Sequence, residues 1–315
     1  MKIKKVTLIG FGAMGAFFAP GMEKTLGEEN FRVLADGERR QRLETRGVTI
    51  NGERVHFSVI SQDAEGDPAD LVLIAVKEPA LEQAIAAIRN QVGPGTQILC
   101  VLNGVDTEER VAAVYGWDHV LYSYMRFSNA MKDGQTSFST EFGSIHFGEA
   151  KNETLTPRVK DVEELFDECG IRYRVDPDMI RGMWFKFMCN VGENMTCALL
   201  GVPFGAFRVS PDANTIRHAA MREVIAIANA KGIGLDEEDI SRQEKTVQIL
   251  PFFNKPSTLQ DLENGCPTEV ALFAGKAVRL GKELGVPTPV CELFYHGIRV
   301  LEEKNRGLFR EEKAK

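Results

Sequence analysis

Gly10-Phe11-Gly12-Ala13-Met14-Gly15 follows directly on the apolar segment Val6-Thr7-Leu8-Ile9. The pattern is G-x-G-x-x-G behind a strand and at the mouth of a helix. Each glycine has a physical task. The first permits a tight turn, the second lets backbone approach a pyrophosphate, and the third lets helix pack closely on strand. The helix N-terminus adds unpaired N–H groups and partial positive charge. A glycine turn without a ligand is the alternative, but the flanking strand and helix are the context that the motif requires. Residues 10–15 are therefore expected to hold a dinucleotide.

Strand and helix alternate through the first half. A helix is expected over 13–26, and Phe31–Ala35 reads as a strand ending at Asp36-Gly37. Val48–Ile50 and Val55–Val59 flank Asn51-Gly52, a hairpin signal. Leu71–Val76 and Ile98–Leu102 are continuous apolar runs, as strands buried on both faces require. A helix is expected over 79–91 between them. The stretch 120–148 is strand-rich, with turn signals at Asp133-Gly134 and Phe142-Gly143, and reads as the far side of the same sheet. A helix near 157–169 and a strand near 171–175 complete the unit. The expected fold class is α/β: an N-terminal Rossmann-type doubly wound sheet with a C-terminal all-helical domain. The boundary is set at Asp176-Pro177-Asp178, dividing 1–177 from 178–315. Helices are expected over 178–200, 212–231, 236–249, 267–285 and 289–304, and the polar end Glu311–Lys315 is expected to fray.

Composition narrows the function. The chain has 315 residues, enough for about two domains. A formal charge of −7 disfavours broad contact with nucleic acid or anionic membranes. No apolar run reaches membrane-spanning length, and the start has no leader-like pattern. The six cysteines include no C-x-x-C pair, and the five histidines are scattered, so no metal is expected. Reduced, buried-type cysteines fit the cytoplasm. The apolar helices of the second half suit either a core or a homodimer surface.

Three groups of residues could carry chemistry. Lys186, Asn190 and Asn194 stand at i, i+4 and i+8 in an otherwise apolar helix, on one face. They read as a cleft wall or as an amide-rich helix contact. Glu193 falls on a neighbouring face. Pro256-Ser257-Thr258-Leu259-Gln260-Asp261 precedes Thr268-Glu269, where Pro267 or Thr268 is expected to open a helix. Glu269 would then sit in a first turn that favours its charge, with a surface role as the alternative. Lys77 and Asn103 follow two of the apolar strands, where open α/β sheets bind ligands.

Together these segments resemble the ketopantoate reductase family along almost the whole chain. The specific part is the Lys186/Asn190/Asn194 helix combined with Ser257–Asp261 and Thr268-Glu269, supported by Gly285-Val286-Pro287-Thr288-Pro289. The resemblance implies NAD(P)H-dependent reduction of a 2-oxo acid, ketopantoate to D-pantoate on the route to pantothenate and coenzyme A, in a cleft between the domains. It implies Lys186 as general acid and Glu269 as the group that holds substrate hydroxyl and lysine. Asn190, Asn194 and Ser257 would bind the substrate, Asn103 would touch substrate and nicotinamide, and Lys77 would line the cofactor side.

The chain departs from the family at two places. Asp36 stands where many members carry the arginine that holds the extra phosphate of NADPH. A carboxylate at this position suits ribose hydroxyls, so NAD(H) is favoured over NADP(H). Arg39-Arg40, just downstream, could instead reach a phosphate or merely start a solvated helix. Ala271 and Ala274 replace the family's Asp and Asn after Glu269. The thinner polar shell keeps a second reading open: an NAD-dependent D-2-hydroxyacid dehydrogenase for branched or aromatic 2-oxo acids. A dinucleotide sensor without turnover is a third, against which the retained Lys186 and Glu269 argue.

Overall fold

Apolar runs fix the middle of the first sheet. In a computed structural model describing residues 2–126, 130–141 and 143–309, the chain divides into two compact units, Met1–Ile180 and Arg181–Lys315. The strands are β1 (Val6–Ile9), β2 (Phe31–Leu34), β3 (Val48–Ile50), β4 (Glu53–Val55), β5 (Ser58–Ile60), β6 (Ala69–Ile74), β7 (Val92–Cys100), β8 (Val120–Arg126), β9 (Ala130–Lys132), β10 (Ser137–Thr140), β11 (Ser144–Gly148) and β12 (Tyr173–Arg174). The helices of this unit are α1 (Ala13–Leu26), α2 (Gly37–Arg46), α3 (Leu81–Ala87), α4 (Thr107–Tyr115) and α5 (Pro157–Cys169).

Eight strands form the main sheet in the order β12-β11-β8-β7-β6-β1-β2-β5. From β5 to β8 all pairings are parallel, and β11 alone runs antiparallel to its neighbour β8. Alternate residues serve opposite faces, as strand geometry requires. Leu71 and Leu73 join a core with Phe18 and Met22 of α1 and Val162 and Phe166 of α5. Val72 and Ile74 join a second core with Leu81 and Ile85 of α3 and Val111 of α4. Helices thus cover both faces, and the doubly wound sheet is present as expected.

The strand-rich stretch 120–148 divides between two sheets, which corrects the expectation of one. β8 and β11 extend the main sheet, whereas β9 and β10 join β3 and β4 in a small sheet ordered β4-β3-β10-β9. The Asn51-Gly52 hairpin is present, with φ of 51° and 86° at its two turn residues, but its second arm is Glu53–Val55, whereas Ser58 and Val59 of the expected arm Val55–Val59 lie in β5 at the edge of the main sheet. Val48, Ile50, Val55 and Phe138 turn inward to the core on the α1 side. Local alternation marks such strands but does not name their partners. The expected turn residue Phe142 and the tail Glu311–Lys315 lie outside the described residues.

The second unit is helical. α6 (Met179–Cys189) runs into a π-helical stretch, Asn190–Asn194, and then α7 (Met195–Leu200). There follow α8 (Ala206–Val209), α9 (Pro211–Ala230), α10 (Glu237–Ile249), α11 (Ser257–Glu263), α12 (Ala274–Leu284) and α13 (Pro289–Asn305). Two expectations fail here. The helix expected over 178–200 carries the π stretch in its middle. The helix expected from 267 begins only at Ala274. Thr268 donates its N–H and hydroxyl to Glu302 of α13, both at 2.7 Å, and its hydroxyl accepts from Val270 N–H at 3.2 Å. Beyond Thr268 the backbone ladder is irregular, with Leu272 N–H on Glu269 O at 3.0 Å (three residues back) and Gly275 N–H on Val270 O at 3.0 Å (five back), so regular helix waits until Ala274. No described helix is long and apolar enough to cross a membrane.

One buried acid in the first unit sets a pH dependence. Glu108, in the first turn of α4, is only 2% exposed and accepts Ser123 N–H at 3.3 Å. Burial pushes its carboxyl up to about 8, with Asp106 and Glu109 adding to the rise. The folded state therefore holds this proton more tightly than the unfolded chain. The resulting stability is complete at low pH and is lost as pH rises from the ordinary glutamate range through about 8. Glu108→Gln should abolish that part of the loss. Urea unfolding across this range should show the variant less pH-sensitive than the native chain and more stable at the alkaline end. Parallel stability–pH curves would refute the assignment.

Candidate active site

The glycine loop is shaped by contacts that exclude side chains. Gly10 has φ +94°, and a Cβ there would lie 2.6 Å from the Ala75 carbonyl group. A Cβ at Gly15 would lie 2.6 Å from Gly10 O. A Cβ at Gly12 would meet nothing within 4 Å. Gly10 and Gly15 are thus demanded by the fold, and Gly12 leaves open space before the first turn of α1. Gly12 is the N-cap residue and has no side chain to cap that turn. Phe11 points into the core, its ring 5.1 Å from Phe57 and 6.2 Å from Phe138. Only its backbone can face a nucleotide. Ala13 and Met14 are half-buried at the helix start. Open space beside a helix N-terminus that no side chain caps fits a pyrophosphate.

Asp36 follows β2 and is exposed. Its carboxylate accepts from Ser61 Oγ at 2.8 Å and from Gln62 N–H at 3.1 Å, and makes no cap bond to α2. The two arginines behind it separate. Arg40 pairs with Glu44 at 2.8 Å on the surface. Arg39 is half-buried, and its Nη2 donates to the Phe11 carbonyl at 2.5 Å. Burial, with Arg42 nearby, lowers the Arg39 pKa. This tie between α2 and the glycine loop has no counterpart in the motif. Lys77 is exposed just past β6, the neighbour of β1, and Asn103 is half-buried just past β7, the next strand out.

In the second unit, every residue from Met183 to Ala198 is buried except Lys186, Asn190 and Asn194. The polar row is therefore the accessible side of that segment, which favours a wall over an interior helix contact. Asn194 Nδ2 donates to Asn190 Oδ1 at 3.5 Å. α11 packs against α7 and the π stretch, and Ser257 is its exposed first residue. Glu269 is half-buried in the turn before α12. The helix-dipole argument for its charge therefore does not hold. Leu272 and Phe273 donate N–H groups to its own carbonyl at 3.0 and 3.1 Å.

Sequence reasoning missed one group. Glu193 is 4% exposed and accepts from Arg217 and Gln243. Nothing in the local pattern names these partners, although a glutamate amid Val191, Gly192 and Met195 is a mark of burial with company. Among the described residues no group of three His, Cys, Asp or Glu side chains is placed to hold a metal ion. The six cysteines are free thiols.

Two family profiles match the chain. The profile described as "Ketopantoate reductase PanE/ApbA" matches residues 6–152, and "Ketopantoate reductase PanE/ApbA C terminal" matches residues 178–302. The chain belongs to the ketopantoate reductase family. Its members are NAD(P)-dependent oxidoreductases that act on CH–OH groups. A 2-dehydropantoate 2-reductase of Streptococcus pyogenes serotype M1 is 24% identical over 294 residues, covering 91% of this chain and 94% of that protein. Among solved structures, a ternary complex of D-mandelate dehydrogenase with NADH and anilino(oxo)acetate has a TM-score of 0.84 at 22% identity, covering 96% of this chain and 99% of that one. A PanE/ApbA family ketopantoate reductase from Ralstonia eutropha JMP134 has a TM-score of 0.82 at 22% identity, with the same coverage.

The loop geometry separates two glycine substitutions. Gly10→Ala should destabilise the protein by about 2 kcal/mol or more through positive φ and backbone overlap. Gly12→Ala should cost about 1 kcal/mol or less, yet weaken NADH binding at least ~10-fold by filling the open space. Thermal melts and fluorescence titration with NADH distinguish the two. Native-like NADH affinity in Gly12→Ala would show that the space is not the pyrophosphate cradle.

Proposed function

We infer that this chain reduces a 2-oxo acid to the D-2-hydroxy acid with NADH, and that its substrate is 2-dehydropantoate, giving D-pantoate. The observation that carries the reading is the polar row of Lys186, Asn190 and Asn194 on an otherwise buried helix. A dinucleotide cradle in the same chain supports it.

A reduced nicotinamide dinucleotide, when bound, supplies the hydride. The protein's own part is charge and position. As hydride reaches the carbonyl carbon, the C=O π pair moves to oxygen. The Lys186 ammonium donates a hydrogen bond to that oxygen, stabilises the growing charge most in the transition state, and then transfers its proton. Glu269 hydrogen-bonds to the substrate hydroxyl and to Lys186. The amides of Asn190 and Asn194 and the Ser257 hydroxyl bind the substrate's carboxylate and hydroxyl ends without adding net charge. Asn103 would touch both substrate and nicotinamide, and Lys77 would line the cofactor side. Asp36 accepts from ribose hydroxyls and repels a 2′-phosphate.

A second reading concerns substrate size. Ala271 and Ala274 stand where many family members carry Asp and Asn. A shell with fewer polar groups favours branched or aromatic 2-oxo acids, and the structural likeness to D-mandelate dehydrogenase supports keeping it.

Initial rates with 2-dehydropantoate and with a panel of branched and aromatic 2-oxo acids test both readings, each with NADH and NADPH. Highest kcat/KM on 2-dehydropantoate is expected. Higher kcat/KM on an aromatic acid would replace the first reading by the second, and no turnover of any 2-oxo acid by protein that binds NADH would overturn both. Lys186→Met should lower kcat by about 10²- to 10⁴-fold while NADH affinity stays unchanged. A kcat within a few-fold of native would remove Lys186 from the acid role. Asp36→Arg should shift the kcat/KM ratio toward NADPH, and an unmoved ratio would show that another group reads the ribose.

A further inference from the structure

The segment bearing the polar row is held from behind by a buried carboxylate. Asn190–Asn194 is a π-helical stretch between two α-helices. Such a turn contains one extra residue and is rarely stable without outside support. Its back packs on α9. A Cβ at Gly192 would lie 2.5 Å from Met221 Cγ and 3.1 Å from Arg217 O, so only glycine allows this approach. The next residue, Glu193, points into the unit. Its carboxylate accepts from Arg217 Nη1 at 3.3 Å and from Gln243 Nε2 at 3.0 and 3.2 Å. Arg217 is 2% exposed, and its guanidinium lies 4.6 Å from the centre of the Phe207 ring.

The cluster is costly as a folding device. Arg217 Nε and Gln243 Oε1 are buried without a hydrogen-bond partner among the described residues. A well-packed apolar set at these positions would avoid that cost. The geometry of the helix suggests what the cost sustains. In an unbroken α-helix, residues four apart drift by about 40° around the axis, so Asn194 would lie about 80° from Lys186. A π turn has about 4.4 residues and reverses the second drift by roughly 30°. Asn194 is thereby returned to the azimuth of Lys186, beside Asn190 at 3.5 Å.

We propose that Glu193, clamped by Arg217 and Gln243, is a positioning residue that holds the π turn and so aligns Asn190 and Asn194 with Lys186 for 2-oxo acid binding. The link to substrate rests on the function inferred above, and the link to the π turn does not. Glu193 touches no reacting group in this scheme and acts through the backbone of its own turn.

The test uses the full chain and begins with the native protein on the 2-oxo acid panel. Glu193→Gln should raise KM for the best substrate about 10-fold or more, because the buried Arg217 guanidinium loses its charged acceptor. kcat should fall less than about 3-fold, and NADH affinity should not change. Backbone amide exchange in a peptide covering residues 186–200 should quicken. The exchanged pair Glu193→Gln/Gln243→Glu restores a carboxylate facing an amide and should recover most of the KM. An unchanged KM in a folded Glu193→Gln protein overturns the proposal, as does a KM rise matched by equal loss of NADH affinity. If Glu193→Gln does not fold, Gln243→Met removes one donor and keeps the Arg217 contact. The same pattern at smaller size is then expected, and an unchanged KM again overturns the proposal. If the native protein reduces no 2-oxo acid, the functional reading fails by itself. Amide exchange then decides the clamp: faster exchange over 186–200 supports it, and native-like exchange overturns it.

Discussion

The passage of Gly10 against the Ala75–Val76 backbone governs the first unit. β1 and β6 are paired in register up to Ile9 and Ile74, and the chain leaves β1 with no room for a side chain. Gly15 then allows α1 to settle over Gly10 O. These two contacts fix where α1 begins and aim its N-terminus across the carboxyl ends of the parallel strands. Lys77 and Asn103 are brought to the same end because β6 and β7 run parallel to β1. The position of the proposed nucleotide cradle is thus a consequence of backbone packing, and the chemistry of the loop follows from it.

The same residues explain what could be read in advance. β6 and β7 announce themselves because a strand buried on both faces must be apolar throughout, and the glycine run marks the turn because no other residue can make it. The small sheet was legible only in its Asn51-Gly52 hairpin. Val48-Thr49-Ile50 shows its alternation, but its parallel partner is Phe138, far along the chain. Three-residue strands carry too little pattern to select a partner at that distance. In the second unit the polar row was legible from spacing, yet the reason for its alignment was not. The spacing 186, 190, 194 looks like an α-helical stripe, while the π turn depends on Met221 and Arg217 of α9 meeting Gly192. Thr268 failed in a similar way. Its acceptor, Glu302, lies 34 positions on, and no local rule predicts it.

Two buried glutamates show how partners decide the state of the same side chain. Glu108 has a backbone N–H at 3.3 Å and acidic neighbours, so desolvation prevails and favours its neutral form. Glu193 is as deeply buried but meets a guanidinium and an amide, both donors. The charge on Arg217 is itself disfavoured by burial and sustained by Glu193 and Glu244. A neutral acid can be replaced by an amide with little loss of hydrogen bonding. A carboxylate between two donors cannot, since an amide turns one of its acceptors into a third donor. Burial alone would not separate the two residues.

The adenosine end of the proposed cradle poses a charge problem of the same kind. Asp36 and Arg39 stand one helical turn apart and have opposite preferences for a ribose phosphate. Arg39 Nη2 is tied to the Phe11 carbonyl at 2.5 Å, so swinging the whole guanidinium toward a 2′-phosphate would break that bond, and its pKa already reflects desolvation in that position. A buried carbonyl that loses its donor adds to the cost. Asp36 needs no such movement. Ser61 and Gln62 orient its carboxylate at the exposed end of β2, and each oxygen retains acceptor capacity for a ribose hydroxyl. Of the two cations that could meet a phosphate, Arg39 is tied to the loop and Arg40 to Glu44, and the anion that would repel it is fixed in the open. That asymmetry is the physical basis for the proposed preference for NADH. It also locates the obstacle to NADPH in two residues, so that removing Asp36 alone lifts the repulsion without freeing Arg39.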